Sequence, residues 1–215
     1  MAALEDVVAT YAQPLEPGTV LVCLDEARKE LVDQLRPPRP PSPGHPARED
    51  HEYVRAGGAS LFLTCAPRRG WRRVTTTERR AAVDFAHVVR DLLDHDFPGE
   101  RVVLVLDNLN THTPASLYKA FPPAEAKRLL DRIAWHHTPK HGSWLNMAEL
   151  ELSALARQCL AQRIPDRTTL ADAVGAWAEA RNAAGVHLRW TFTVEDARRK
   201  LPHLYPIPQS DQPGI

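Results

Sequence analysis

Two apolar runs in the chain lack the alternation of polar residues that a half-exposed strand shows. The first is TVLVCL at residues 19–24, and the second is VVLVL at residues 102–106. An unbroken run rich in β-branched side chains predicts a central strand that helices cover on both faces of a sheet. Each run is followed directly by an aspartate, Asp25 in the first case and Asp107 in the second. These two strands are therefore the starting point for predicting the fold.

Residues 52–76 contain three further stretches of strand-forming residues, which are EYVRAG, ASLFLTCA and GWRRVTT. Turn residues separate them at Gly57-Gly58 and at positions 67–70, so each stretch predicts a strand. Together with the first strand they predict an antiparallel meander. RIAWH at 132–136 predicts an edge strand, and the tail that begins LRWTF predicts a short strand followed by a last helix.

Apolar residues at helical spacing predict an amphipathic helix that opens at Thr77 and stops near residues 96–99. A helix of this length before the strand at 102–106 implies a parallel crossover onto the sheet. The proline-rich stretch at 37–46 predicts a stiff surface loop. Other helices are predicted at residues 4–11, 27–36, 114–120, 123–132, 144–162 and 168–184. A mixed sheet flanked by helices places the chain in the α/β class.

The length and composition narrow the class of protein further. The 215 residues suit one domain, and no apolar stretch is long enough for a membrane span. The N-terminus lacks the pattern of a signal peptide, which predicts a cytoplasmic location. Three widely spaced cysteines argue against a disulfide framework. The net charge of zero means that any surface that binds nucleic acid must be local.

The two aspartates that end the central strands are the main candidates for chemistry. The carboxyl ends of strands line the functional crevice of an open α/β sheet, so neighbouring strands would bring Asp25 and Asp107 to one edge. Two carboxylates side by side repel each other. A divalent cation between them removes that conflict, and oxygen ligands suit Mg²⁺ or Mn²⁺.

A third acid is expected from the helix that follows Ser143. Glu149 and Glu151 point roughly 200° apart on this helix, so they cannot share a role. Glu149 lies about 60° from the centre of the apolar stripe and Glu151 about 100°, which favours Glu149 as the more inward acid and the better ligand. Asn146 lies one turn before Glu149 on the same side.

Polar and basic groups near these acids are candidates for supporting roles. Asn108 and His112 follow Asp107 closely and could orient a ligand, a water or a phosphate, although ordinary turn chemistry also explains them. Basic and aromatic side chains could guide DNA through its phosphates. The alternatives are a solvated hairpin for the arginines and core packing for the tryptophan. The DNA-binding candidates are Arg72, Arg73, Lys140, His141 and Trp144.

Three motifs carry a resemblance to a known family. They are VLVCLDE at 20–26, VLVLDNLNTHTPASLYKAF at 103–121 and TPKHGSWLNMAELELS at 138–153. The chain resembles the bacterial insertion-sequence branch of the mariner-type DDE transposases over residues 4–206. The resemblance implies an RNase H-like fold with a mixed five-stranded sheet in the order 3-2-1-4-5. It also implies that Asp25, Asp107 and Glu149 are the catalytic acids.

The same resemblance implies the cofactors and partners. Two Mg²⁺ or Mn²⁺ ions would be held by the three acids, and the substrates would be transposon ends and target DNA, in a nucleoid-associated homodimer. The domain organisation is then a lead-in at 1–18, the catalytic domain at 19–206 and a disordered tail at 207–215. Family members normally begin with helix-turn-helix segments. The expectation here is therefore a truncated copy, a split reading frame or a stand-alone domain.

Three other interpretations compete with an active transposase. An inactive remnant would fold but not cut DNA, and a different RNase H-like nuclease would cut without joining strands. An aspartyl phosphatase of the haloacid-dehalogenase type requires an Asp-x-Asp pair after the first strand. Asp25-Glu26-Ala27 lacks that pair, which disfavours the phosphatase.

Overall fold

The computed structural model describes residues 1–35, 41–44 and 52–205, and its centre is one mixed sheet. The strands are β1 (Thr19–Gln34), β2 (Tyr53–Ala66), β3 (Trp71–Thr77), β4 (Arg101–Leu106) and β5 (Ile133–His137). Their order in the sheet is β3-β2-β1-β4-β5, which confirms the predicted arrangement. The strand β1 pairs antiparallel with β2 and parallel with β4, and β5 lies parallel to β4 at the edge.

Seven α-helices in the described part of the chain flank the sheet. They are α1 (Ala2–Ala12), α2 (Ala82–Asp91), α3 (Pro114–Ala120), α4 (Pro123–Leu130), α5 (Met147–Gln158), α6 (Arg167–Ala183) and α7 (Val194–Lys200). A π-helical turn continues α2 over Leu92–Asp96, and a 3-10 turn at Ser143–Leu145 precedes α5. None of the helices in this part of the chain has the length and apolar character needed to cross a bilayer.

The pleat of β1 divides the core into two layers. Leu21 and Cys23 belong to a cluster with apolar residues of α1, α5 and α6, which we call the α5 face of the sheet. Val22 and Leu24 belong to a second cluster with residues of α2, α3 and α4, which we call the α2 face. Successive side chains of a strand point to opposite faces, so β1 is covered on both sides, as its unbroken apolar run predicts.

The prediction of a helix at residues 27–36 is wrong, because β1 continues through this segment to Gln34. Its sequence has helix-forming residues, but pairing with β2 overrides that local preference. The predicted turn at Gly57-Gly58 is also wrong, since β2 is a single strand. The register shifts between Glu30 and Val32, and Gly57 adopts a φ of 98° in the β2 segment opposite. The glycines therefore mark a β-bulge and not a chain reversal.

Two other segments differ from the sequence-based expectation. Thr77 ends β3 and does not open α2. The helix α2 begins at Ala82, and the Asp84 side chain caps its start by accepting a hydrogen bond from the Ala81 amide (2.9 Å). The short tail strand does not form. Trp190 and Phe192 instead pack their side chains against the core, and α7 follows as predicted. The predicted loop at 37–46 falls mostly outside the described residues, and the predicted tail at 207–215 falls entirely outside them.

Candidate active site

The parallel pairing of β1 with β4 places Asp25 beside Asp107. Leu24 is the register partner of Leu106, and the two aspartates follow these residues directly. Cys23 and Val105 both face α5, and side chains two positions apart on a strand share a face. Asp25 and Asp107 are therefore carried by adjacent strand ends and are directed to the same side of the sheet, as the sequence predicts.

Asn146 fastens the start of α5 to the end of β1. Its side-chain oxygen accepts a hydrogen bond from the Ala148 amide (3.1 Å), which makes it the N-cap of α5. Its side-chain amide donates to the carbonyl oxygen of Leu24 (2.8 Å), the residue before Asp25. Glu149 lies in the first turn of α5, so this one buried side chain holds the helix turn of Glu149 against the strand end of Asp25.

Replacing Asn146 with alanine is expected to lower the free energy of unfolding by about 2–3 kcal/mol. The change removes a helix cap and leaves the buried Leu24 carbonyl without its donor. Chemical denaturation of both proteins measures the difference. Asp166→Ala is the matched control, because Asp166 caps the exposed start of α6 through the Thr169 amide (2.9 Å) and should cost only about 1 kcal/mol. Equal losses would show that the Leu24 contact contributes nothing.

The charges at this edge of the sheet act on one another. Burial, followed by the negative charges of Asp107 and Glu149, raises the pKa of Asp25 from 3.8 to about 6. The hydrogen bond from the Glu26 amide to Asp25 Oδ1 (2.8 Å) offsets only part of this effect. The structure therefore brings all three predicted acids to one site, where their charges oppose the ionisation of Asp25.

His112 is buried between two carboxylates at the same edge. Its Nδ1 hydrogen-bonds Asp107 Oδ1, and its Nε2 hydrogen-bonds Glu26 Oε1 at 2.7 Å. Burial lowers the pKa of His112, but the hydrogen bonds to Asp107 and Glu26 outweigh burial and raise it to about 9. The ring is thus a cation at neutral pH. Sequence reasoning selected His112 but missed Glu26, although strand alternation next to Asp25 places Glu26 on the α2 face.

The donor chemistry of this site fits hard divalent cations. Three carboxylates lie close enough to act on one another, and the charges of Asp107 and Glu149 add to the effect of burial on the pKa of Asp25. No three His, Cys, Asp or Glu side chains in the described residues are arranged around a single ion position. Mg²⁺ commonly takes only one or two protein carboxylates and completes its shell with water and substrate phosphate, so pairs of these acids suffice.

Glu151 corrects the expectation that Glu149 is the more inward acid of α5. Its side chain is 0% exposed, whereas Glu149 is partly exposed at the acidic edge. Arg181 donates two hydrogen bonds of 3.0 Å to Glu151, and Arg72 Nε lies 3.3 Å from it. The prediction used only the angular positions of residues around α5, which placed Glu151 farther from the apolar stripe. Glu151 can be buried because Arg72 on β3 and Arg181 on α6 pair with its charge.

Arg72 is a second correction, because it cannot contact DNA in this structure. The residue is 1% exposed. Its guanidinium bonds Asn182 Oδ1 (3.2 Å) and the Val186 carbonyl, in addition to the contact with Glu151. An arginine that hydrogen-bonds on several sides in the interior is a structural cation. The sequence motif alone could not distinguish it from the neighbouring Arg73, whose partly exposed side chain pairs with Asp96 at 2.8 Å.

Three of the remaining candidates line the rim of the site beside Asp107. Asn108, Lys140 and His141 are exposed and border a cleft of about 330 Å³ together with Asp107. His141 adopts a left-handed φ of 62°, which turns the loop between β5 and α5 sharply beside Asp107. Trp144 is 45% exposed and stacks near Trp190 with ring centroids 6.5 Å apart. Asn108, Lys140 and His141 are therefore accessible to a ligand that approaches Asp107, and Trp144 is exposed farther along the same loop.

Comparisons with known proteins identify the family and the fold. A model of the family described as DDE superfamily endonuclease matches residues 20–171. The structure is similar to a Mos1 transposase paired-end complex with the left transposon end and to a Mos1 mariner paired-end complex with Mn (each TM-score 0.55, 16% identity). Both similarities cover 86% of this chain and 56% of the other.

A Mos1 strand transfer complex is similar to the same degree, with a TM-score of 0.55, 17% identity and coverage of 86% of this chain and 55% of that one. The chain thus spans little more than half the length of these proteins. The shared architecture confirms the prediction of an RNase H-like fold. No curated protein matches the chain.

Proposed function

Because the chain belongs to the DDE superfamily of endonucleases, we propose that it is a transposase catalytic domain that cuts DNA and joins strands with two divalent metal ions. The observation that carries this proposal is the convergence of Asp25, Asp107 and Glu149 at one edge of the sheet. They lie on β1, directly after β4 and on α5, and burial, with the negative charges of Asp107 and Glu149 added to it, raises the pKa of Asp25 to about 6. A divalent cation between the acids would stabilise the charged form of Asp25 against both burial and its neighbours.

Each acid has a distinct place in the proposed mechanism. Asp25 would contribute to both ions, with Asp107 completing one and Glu149 the other. Held there, divalent ions would supply activation of a water for attack on a phosphodiester and stabilisation of the leaving 3′ oxygen. The freed 3′-OH of the DNA is then the nucleophile on a phosphodiester of the target. The protein contributes the fixed positions of the carboxylates, which the N-cap Asn146 maintains on the α5 side.

The rim of the site is proposed to hold the DNA backbone. Lys140, His141 and Asn108 border the cleft beside Asp107 and can donate hydrogen bonds to phosphate oxygens without reading bases. The exposed ring of Trp144 offers a surface for stacking against a base. The partners of the proposed enzyme are transposon ends, target DNA and a second copy of the chain.

Cleavage of DNA that depends on a divalent metal tests this proposal. With Mg²⁺ or Mn²⁺ we expect the chain to nick a supercoiled plasmid and to join a DNA fragment bearing a free 3′-OH to it, and we expect excess chelator to stop both reactions. Gel electrophoresis measures nicked and joined products. Glu149→Gln should remove both activities, whereas the exposed Glu179→Gln should retain them, which excludes a contaminating nuclease.

Each outcome of that experiment distinguishes among the competing functions. Nicking without joined products would favour a different RNase H-like nuclease. Absence of nicking with either ion, together with absence of Mn²⁺ binding in calorimetry, would leave an inactive remnant and overturn the proposal.

A further inference from the structure

We propose that Glu26 is a positioning residue that acts through His112 to fix the orientation of Asp107, leaving one oxygen of that carboxylate free for a metal ion. This inference rests on the proposed function, because it assumes that Asp107 binds a cation. It adds a fourth acid whose role is to hold one of the three ligands in place, without touching the ion or the DNA.

The pleat of β1 sends the adjacent acids Asp25 and Glu26 to opposite faces of the sheet. Asp25 shares its face with Cys23 and α5, whereas Glu26 shares its face with Leu24, which packs in the α2 cluster. The Glu26 side chain is only 2% exposed. It therefore cannot join the acids on the α5 face directly, and it reaches the site only through the ring of His112.

His112 is a rigid connection between Glu26 and Asp107. Carboxylates accept hydrogen bonds, so both ring nitrogens of His112 act as donors, Nε2 to Glu26 Oε1 at 2.7 Å and Nδ1 to Asp107 Oδ1. The ring packs against Phe85, with centroids 4.7 Å apart, and the His112 carbonyl accepts a hydrogen bond from His137 Nε2 at 2.9 Å. The imidazole cannot rotate without breaking its two hydrogen bonds and its contact with Phe85, and because it engages Oδ1 it leaves Oδ2 of Asp107 for an ion.

The second carboxylate oxygen of Glu26 indicates that the pairing with His112 does more than satisfy a buried histidine. Glu26 Oε2 is buried and has no hydrogen-bond partner among the described residues. A neutral acceptor would satisfy His112 Nε2 without the cost of a buried charge that is only half paired. Such a cost is retained where a charge serves a site, and here the Glu26 carboxylate holds the His112 ring in the orientation in which it reaches Asp107.

The experiment replaces Glu26 with glutamine and measures Mn²⁺ binding by calorimetry, in addition to the Mg²⁺ concentration that gives half-maximal nicking. Loss of an outer partner of a metal ligand typically weakens metal affinity by about 10–100-fold, so we expect Mn²⁺ to bind about tenfold more weakly and half-activation to need about tenfold more Mg²⁺. The matched control is Glu30→Gln, an exposed acid on the same strand, which should leave both quantities unchanged.

A double-mutant cycle tests whether Glu26 acts through His112. Asparagine at position 112 keeps a donor for Asp107 but cannot reach Glu26, so adding Glu26→Gln to His112→Asn should cause no further loss of Mn²⁺ affinity.

If Glu26→Gln does not fold, Glu26→Asp is measured in its place, and weaker Mn²⁺ binding at an unchanged thermal midpoint supports the proposal. Mn²⁺ affinity equal to that of the wild type in the folded variant, or a full additional loss in the double variant, overturns it. A wild-type chain that binds no Mn²⁺ refutes the proposed function itself.

Discussion

Asp25→Asn is expected to lower metal-dependent nicking by about a thousandfold or more, which corresponds to about 4 kcal/mol of transition-state stabilisation. Asparagine has nearly the same size and shape, so the change removes the charge that would contribute to both ions and leaves the packing intact. Rates of plasmid nicking in Mg²⁺ provide the measurement. Asp33→Asn is the control, because Asp33 is an exposed acid farther along the same strand. Nicking by Asp25→Asn at the wild-type rate would refute the assignment of Asp25.

The same substitution is expected to stabilise the metal-free protein at neutral pH. The pKa of Asp25 is raised from 3.8 to about 6, so folding favours its protonated form. That contribution to stability is fully present below pH 3.8 and is lost as the pH rises through about 6. Thermal midpoints of wild type and Asp25→Asn should therefore be similar in acid and diverge, with the variant higher, above this window. An inactive variant with a lower midpoint at neutral pH would instead have lost activity by unfolding.

Glu151→Gln is expected to lower the free energy of unfolding by about 3–5 kcal/mol, because it leaves Arg72 as a buried charge without its partner. Both side chains are 0% exposed. Chemical denaturation measures the loss. In the matched control Glu125→Gln, a surface pair with Arg128 (2.7 Å, both partly exposed) is broken, which should cost less than about 1 kcal/mol.

A paired replacement tests the physical reason for that loss. Buried ion pairs can often be exchanged for apolar residues of similar size with little change in stability. Combining Glu151→Leu with Arg72→Met should therefore recover most of the lost stability. A double variant as unstable as Glu151→Gln would show that the geometry of Glu151 matters more than the charge left on Arg72.

Local sequence patterns were sufficient to predict the elements whose structure depends on residues close to them in the chain. The apolar runs before Asp25 and Asp107 identify the central strands because burial on both faces excludes polar residues at every position. The Asn146 cap and Glu149 lie within one helix turn, so a short motif identifies both. These features need no knowledge of distant residues.

Contacts between distant segments decide the features that the sequence did not reveal. Residues 27–36 have the composition of a helix, but pairing with β2 makes them part of a strand. Glu151 is buried only because Arg72 and Arg181 come from other elements, which a projection of one helix cannot include. Glu26 could have been recognised from the alternation of faces along β1, but its partner His112 lies 86 positions away.

Because Asn146 attaches α5 to β1, the distance between Glu149 and Asp25 does not depend on the length of the chain that connects β4 to α5. The helix is fastened to the carbonyl of Leu24 on β1 and not to the strand that bears Asp107. The segment that contains α3, α4 and β5 can therefore gain or lose residues without shifting Glu149 relative to Asp25. Insertions in the loops of that segment are therefore the ones that an engineered version of this domain should tolerate best.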